Sequence, residues 1–290
     1  MKNRSLPVIA VIPAHNASKT LPSLLDELLK QKYDEIIVID DASTDSTISV
    51  ARAYKNKVNI IEGKENVGSG ANRNRIIGRT KNSIIHFIDA DMQLLSRNTP
   101  GIIRTLDWPD DTAFIGGMVR NPDGTQNPFN YGPRPHLMLS FLLGGLQFLV
   151  WQIGRLNRSL GQFTRRIFNP LLRDFPKIYQ IQKPKRIYWA AESNMLVESN
   201  LFEKHGGYDP AFRYSEIEDF ALRMYRHGYH GRFEPRIDAI HSSTDNIFKS
   251  RKKRYEARKQ FIKKHGRLVY LVPPLADYLE GRKTQKRYHK

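Results

Sequence analysis

The chain has 290 residues, 40% of them hydrophobic, enough to bury a sizeable core and to exclude global disorder. It has no cysteine, which removes disulfides, zinc–thiolate sites and thiol nucleophiles and fits a reducing compartment. The 47 basic and 29 acidic residues leave a net charge of +18, which implies attraction to a polyanion or an anionic membrane face.

Leu6 to Ile12 reads as a first buried strand. It is short and is followed at once by Pro13, His15 and Asn16, so it is not a signal peptide. Leu21, Leu24, Leu25, Leu28 and Leu29 have helical spacing, with Thr20 as the cap and Pro22 tolerated in the first turn. Glu35 to Ile39 is a second strand ending in Asp40-Asp41, and Ser43 to Ser46 offers N-caps for a helix through about Tyr54. Val58 to Ile61 is a third strand, after which Asn66-Val67-Gly68-Ser69-Gly70 feeds a helix carrying Arg73. Ser83 to Leu94 then places an uncharged, β-branched run directly before Asp89-Ala90-Asp91, as expected for a strand buried on both faces of a parallel sheet. Strands alternating with helices predict βαβ units and a mostly parallel α/β sheet.

Parallel strands put their carboxyl ends on one edge, where ligands of open α/β sheets bind. That edge collects Pro13, His15 and Asn16, then Asp41, then Asn66, Gly68 and Arg73, and finally Asp89, Ala90 and Asp91. Asp41 is suited to accept from a base N–H, Asp89 from a ribose hydroxyl, and Arg73 to neutralise phosphate. The glycines let backbone approach a ligand closely. Two carboxylates one residue apart are costly unless a cation or a donor-rich ligand neutralises them, which points to a metal–diphosphate site of the Mn²⁺ or Mg²⁺ kind. Each residue alone also has a plain alternative. Asp41 and the Asp-Ala-Asp triplet suit turns or caps, Arg73 a solvated helix face, and the glycines simple punctuation.

The stretches VIPAHN, IIVIDDASTDST, ENVGSGANRNRI and FIDADMQL resemble the nucleotide-binding half of family 2 glycosyltransferases of the GT-A fold. The resemblance implies Asp41 at the base, Asp89 at the ribose, Asp91 on the metal, and UDP as the usual nucleotide. In the second half, Ala190 to Val197 is similar to the stretch beneath the family's acceptor site, and His205 to Asp209 to its glycine turn. Glu218-Asp219 resembles the Glu-Asp motif that opens a helix, with Asp219 the implied base for an acceptor hydroxyl. His241 matches the late histidine that completes the metal shell, with a satisfied structural histidine as the alternative. The implied reaction is a single displacement with inversion, without an enzyme nucleophile.

Between Gly117 and Ile187 the resemblance lapses. Leu137 to Gly154 carries no formal charge and is followed by Arg155, Arg158, Arg165, Arg166 and Arg173. Three readings stand: a core or oligomer-contact helix, an interfacial helix on a bilayer, or a span, the last weakened by Gly144-Gly145, Gln147 and Gln152. From Lys249 the chain is basic, suited to a solvated helix, to anionic lipid or, with no recognition motif to support it, to nucleic acid. The organisation expected is a transferase domain over 1–248, with a nucleotide half at 1–117, a helical insert at about 130–185 and an acceptor half at 186–248, then a basic helical extension at 249–290. The partners expected are a nucleotide-sugar, a saccharide or lipid-linked saccharide acceptor and an anionic membrane surface. The place expected is the cytoplasmic face of the cell membrane. The rivals are transfer to a polyprenyl phosphate and an inactive polyanion-binding adaptor on the same fold.

Overall fold

The computed structural model describes residues 6–127, 130–132, 183–242 and 251–266, together with Ser159. The chain divides into two units, one of residues 1–132 and 183–261 and one of residues 133–182 and 262–290. Almost all the described residues belong to the first. The expected insert helix at Leu137 to Gly154 lies outside the described residues. Among those described, no helix is long and apolar enough to cross a membrane.

The nucleotide half follows the predicted alternation. Strand β1 (Val8–Ala14) leads to helix α1 (Leu21–Leu28), β2 (Glu35–Asp40), α2 (Thr47–Ala53), β3 (Asn59–Glu62), α3 (Ser69–Arg73), β4 (Ile84–Ile88) and β5 (Met92–Leu94). Thr20 is the N-cap residue of α1 and Pro22 sits in its first turn, where a missing N–H costs nothing. Helix α3 is shorter than expected and tightens into a 3₁₀ turn over Asn74–Ile76. Strand β3 sits one residue later than its apolar run suggested, because Val58 still closes the preceding turn through its N–H to Tyr54 O.

Helix α4 (Thr99–Arg104), capped by Asn98, leads to β6 (Thr112–Arg120) and β7 (Tyr131–Gly132). The chain resumes with β8 (Lys185–Ile187), β9 (Trp189–Ala190), β10 (Asn194–Glu198), α5 (Ser199–Lys204), α6 (Glu216–Arg226), β11 (His230–His241) and α7 (Arg251–His265). The main sheet runs β3-β2-β1-β4-β10-β6-β11-β5, with β8 also on β11. Its block β3-β2-β1-β4 is parallel. Strand β10 enters antiparallel between β4 and β6, with Asn194 in register with Ile88. That reversal brings Glu192 and Ser193, just before β10, to the carboxyl end of β4.

Two packings hold this edge in place. Ala10 and Ile12 of β1, Val38 of β2 and Ile88 of β4 cluster with the four buried leucines of α1. Elsewhere Phe87 of β4, Phe202 of α5, Phe220 of α6 and Tyr208 stack with ring centroids 5.4 to 5.6 Å apart. Such aromatic pairs add about 0.5–1.5 kcal/mol each beyond the area they bury. They tie α5 and α6, which follow the insert, to the strand that ends in Asp89.

Candidate active site

A cleft of about 540 Å³ opens at the carboxyl ends of the parallel strands. Pro13, His15, Asn16, Asp41, Asn66, Gly68, Asp89, Ala90, Asp91 and His241 all line it. This is the size of a small-molecule pocket. Its walls are loops cross-tied to one another. His15 Nδ1 donates to Asp41 O at 2.9 Å, and Asn16 Oδ1 accepts from the Thr44 N–H at 2.8 Å. Asn16 holds φ at 53°, a left-handed conformation that asparagine tolerates better than most residues.

Asp41 lies in the cleft wall with both oxygens engaged. It is 3% exposed, and its two carboxylate oxygens accept from the N–H groups of Val67 and Gly68, each at 2.9 Å. The Arg75 guanidinium stands 3.6 Å away. Asp41 therefore clamps the glycine loop in this structure. Gly68 itself has φ 92°, which suits a residue without Cβ.

At the opposite wall, Asp89, Asp91 and His241 each offer one ligand atom, all within 4.8 Å of one another. Strand pairing explains the meeting. His241 is in register with Met92, and the Ser242 N–H donates to Asp91 O at 3.0 Å. The His241 Nε2–Asp91 Oδ1 distance is 3.1 Å. Burial opposes protonation of His241, but the hydrogen bond and charge of Asp91, with Asp89 behind it, raise its proton affinity on balance. Two carboxylates and an imidazole form a donor set that fits a divalent cation.

Arg73, expected to meet phosphate, is 1% exposed and faces inward. Its Nη2 donates to Asp89 Oδ1 at 2.5 Å, its Nη1 to Ser69 Oγ, and its guanidinium lies over the Phe87 ring. It is a buried cation that fixes the angle of Asp89. Asp219, expected as the base, is fully buried and paired with Arg223 at 2.9 Å, one helical turn on. Its neighbour Glu218 is half-buried. Burial, then the charge of Glu192, push its carboxyl up to about 7.

A profile of the family described as "Glycosyl transferase family 2" matches residues 9–169. This chain belongs to glycosyl transferase family 2. Among curated relatives in that family, succinoglycan biosynthesis protein ExoU of Rhizobium meliloti is 30% identical over 151 residues, covering 48% of this chain and 43% of its own. Dolichyl-phosphate beta-glucosyltransferase of Drosophila melanogaster is 30% identical over 172 residues, 51% of this chain and 49% of its own. This family 2 chain thus spans about half the length of these two relatives. Among solved structures, the mannosyltransferase PcManGT of Pyrobaculum calidifontis, in complex with GDP-Man and Mn²⁺, superposes with a TM-score of 0.61 at 17% identity, covering 96% of this chain and 69% of that one. That likeness shows the shared α/β fold of GT-A type.

Two acids whose charges act on Arg73 were not singled out from the sequence. Glu192 lies in the loop before β10. Glu216 opens α6, is 6% exposed, and packs where a side chain at Gly70 would otherwise stand. An acid within the otherwise uncharged run WAAESNMLV was the visible signal for Glu192.

Proposed function

We propose that this family 2 chain is a metal-dependent, inverting glycosyltransferase that takes a sugar from a nucleotide-sugar, a UDP-sugar by the family resemblance. The acceptor in this reading is a hydroxyl of a lipid-linked or surface saccharide at the cytoplasmic face of the cell membrane. One observation carries the reading: Asp89, Asp91 and His241 converge at one wall of a nucleotide-sized cleft. PcManGT, whose fold is shared, was solved with a nucleotide-sugar and Mn²⁺.

Asp91 and His241 would hold a divalent cation, which when bound would supply charge neutralisation for the departing diphosphate. Arg73 keeps one Asp89 oxygen occupied and so turns the other toward the cleft, for ribose or ion. The loop of Asn66 and Gly68, set by Asp41, presents backbone to the nucleotide. The acceptor oxygen forms its bond to the anomeric carbon as the bond to the diphosphate oxygen breaks. The hydroxyl proton passes to the Glu218 carboxylate, whose proton affinity near neutrality suits a general base.

Titration calorimetry of UDP and GDP, with and without Mn²⁺, tests the donor site. Tight binding of UDP that requires both Mn²⁺ and Asp91 is expected, with Asp91→Asn losing at least about tenfold in affinity. Failure of both nucleotides to bind the folded chain would sink the reading. A second reading, transfer to a polyprenyl phosphate, is favoured by the match to a dolichyl-phosphate glucosyltransferase over half of this chain. A phosphate acceptor arrives deprotonated and needs no base. Glu218→Gln separates the two. It drops transfer to a hydroxyl by about 10²-fold or more, and leaves transfer to polyprenyl phosphate nearly intact.

A further inference from the structure

The loop over residues 66–68 is gripped from two sides. On one side Asp41 accepts from the Val67 and Gly68 N–H groups. On the other, Arg213 reaches it from the stretch that leads from Tyr208 into α6. Arg213 Nη1 donates to Asn66 Oδ1 at 3.3 Å, and Nη2 donates to Asn66 O at 3.1 Å. Its aliphatic stem lies against Gly68, where an added Cβ would stand 3.7 Å from Arg213 Cγ. Asn66 and Gly68 both line the cleft. Arg213 and Asn66 are 147 residues apart in the chain, so the contact joins the wall of the cleft to the second half of the sequence.

The Arg213 side chain is exposed, but the backbone beneath it is fixed. Phe212 is 2% exposed and in ring contact with Phe261 of α7. The Phe212 N–H donates to Asp209 O at 3.0 Å, and the Ala211 N–H to Asp209 Oδ1 at 2.9 Å. Two residues after Arg213, Ser215 holds φ at 63° as the N-cap residue of α6, a left-handed conformation uncommon in residues with a side chain. Its carbonyl accepts from the Asp219 N–H at 3.0 Å and starts the helix. A planar guanidinium presents its donors as a rigid fork, which suits two oxygens of one residue, whereas an ammonium is a single point charge.

We propose that Arg213 is a positioning residue of the donor site, a brace that holds the 66–68 loop in the shape that receives the nucleotide. The proposal rests on the reading of the cleft as a nucleotide-sugar site. A loop ordered in advance loses less entropy when its ligand arrives, and affinity rises by that difference. The loop meets the nucleotide and not the reacting bond. Loss of the brace therefore falls on donor KM and leaves kcat.

Amide hydrogen exchange of the full chain without ligand is the first test, since it needs no nucleotide. Residues 64–68 are expected to exchange about fivefold faster or more in Arg213→Ala, with β1 and β4 unchanged. Equal exchange of the loop in the two chains would overturn the proposal. Calorimetry of UDP with Mn²⁺ and steady-state kinetics follow. Arg213→Ala is expected to lower UDP affinity about tenfold and to raise donor KM by about the same factor, with kcat and the urea midpoint nearly unchanged. Arg213→Lys keeps the charge without the fork and recovers little of the loss. Full recovery by lysine, or a fall in kcat with donor KM unmoved, would overturn the brace. A parent chain that binds neither UDP nor GDP would retire the nucleotide-sugar reading and the donor role with it, while faster loop exchange in Arg213→Ala would still uphold the brace itself.

Discussion

Arg73 shows how much one buried side chain sets at this site. Its guanidinium has three flanks, and they meet Asp89, Ser69 and the Phe87 ring. Lysine keeps the charge but not the fork, and cannot hold Asp89 and Ser69 at once. Arg73→Lys is expected to weaken donor binding by about 2 kcal/mol, roughly thirtyfold, while the chain stays folded. Donor calorimetry on the variant checks this, and unchanged affinity would mean that Asp89 needs no support. The identity of most cleft residues was legible in the sequence, since each follows a strand and the strands are parallel. Orientation was not. Asp219 and Glu218 are neighbours in sequence, yet about 100° apart around α6. Phe220 and Met224 mark the buried face, and Arg223, four residues on, takes Asp219 as its partner. Arg73 and Asp41 were read as facing the ligand because their charges suggested it. Contacts with residues distant in sequence turn Arg73 inward and occupy both Asp41 oxygens at the cleft wall.

At the scale of an element, β10 is the piece that joins the halves. Its Asn194 donates through Nδ2 to Met118 O at 2.9 Å and to Ile237 O at 3.0 Å, bridging β6 and β11 near an irregularity in their pairing. Those two acceptors fix the amide orientation, so Oδ1 accepts from Nε2–H of His86 at 2.8 Å. His86 Nδ1 in turn accepts from the Tyr33 hydroxyl at 2.8 Å. The ring must be neutral for both bonds to hold, and burial pushes its pKa down from 6.5 to about 4. The unfolded chain therefore binds the extra proton between those values. The stabilisation is complete above pH 6.5 and is lost as pH falls through 4, an effect of about 3 kcal/mol. Urea denaturation at a series of pH values is expected to show this loss in the parent and not in His86→Gln. An identical slope in the two would show that His86 is not the titrating group. None of this polar ladder was visible in the sequence, where His86 reads as one polar residue inside an apolar run. The antiparallel entry of β10 was equally hidden, because strand periodicity carries no direction.

At the scale of the molecule, the excess positive charge has one described location on a regular element. Helix α7 is anchored by Ala257 and Phe261, with Phe261 in ring contact with Phe212. It exposes Arg258, Lys259, Lys263 and Lys264 against a single exposed acid, Glu256. Each such cation contributes about 1 kcal/mol near an anionic bilayer. Vesicles containing phosphatidylserine are expected to bind the chain in low salt and release it as salt rises, with neutral vesicles binding weakly. Reversing Lys259 and Lys263 to glutamate should cut that binding roughly tenfold or more. Equal binding to neutral vesicles would assign the affinity to apolar contact instead. The helix itself was legible from its composition, but its anchorage was not, since Tyr255 looks like part of an apolar stripe and is 65% exposed.

The place of β10 in the sheet also dictates an order of assembly. Strands β4 and β6 are complete within the first 120 residues, yet they do not pair with each other. Until residues 194–198 arrive, both present open backbone edges facing an empty slot. A ribosome has therefore made two thirds of this chain before the sheet can close. In that interval Asp89 stands at the end of a half-paired strand, held by Arg73, while His241 of β11 has yet to be made. Such a long-range closure is slow by its nature, and it leaves the unfinished sheet open to pairing with the wrong partner.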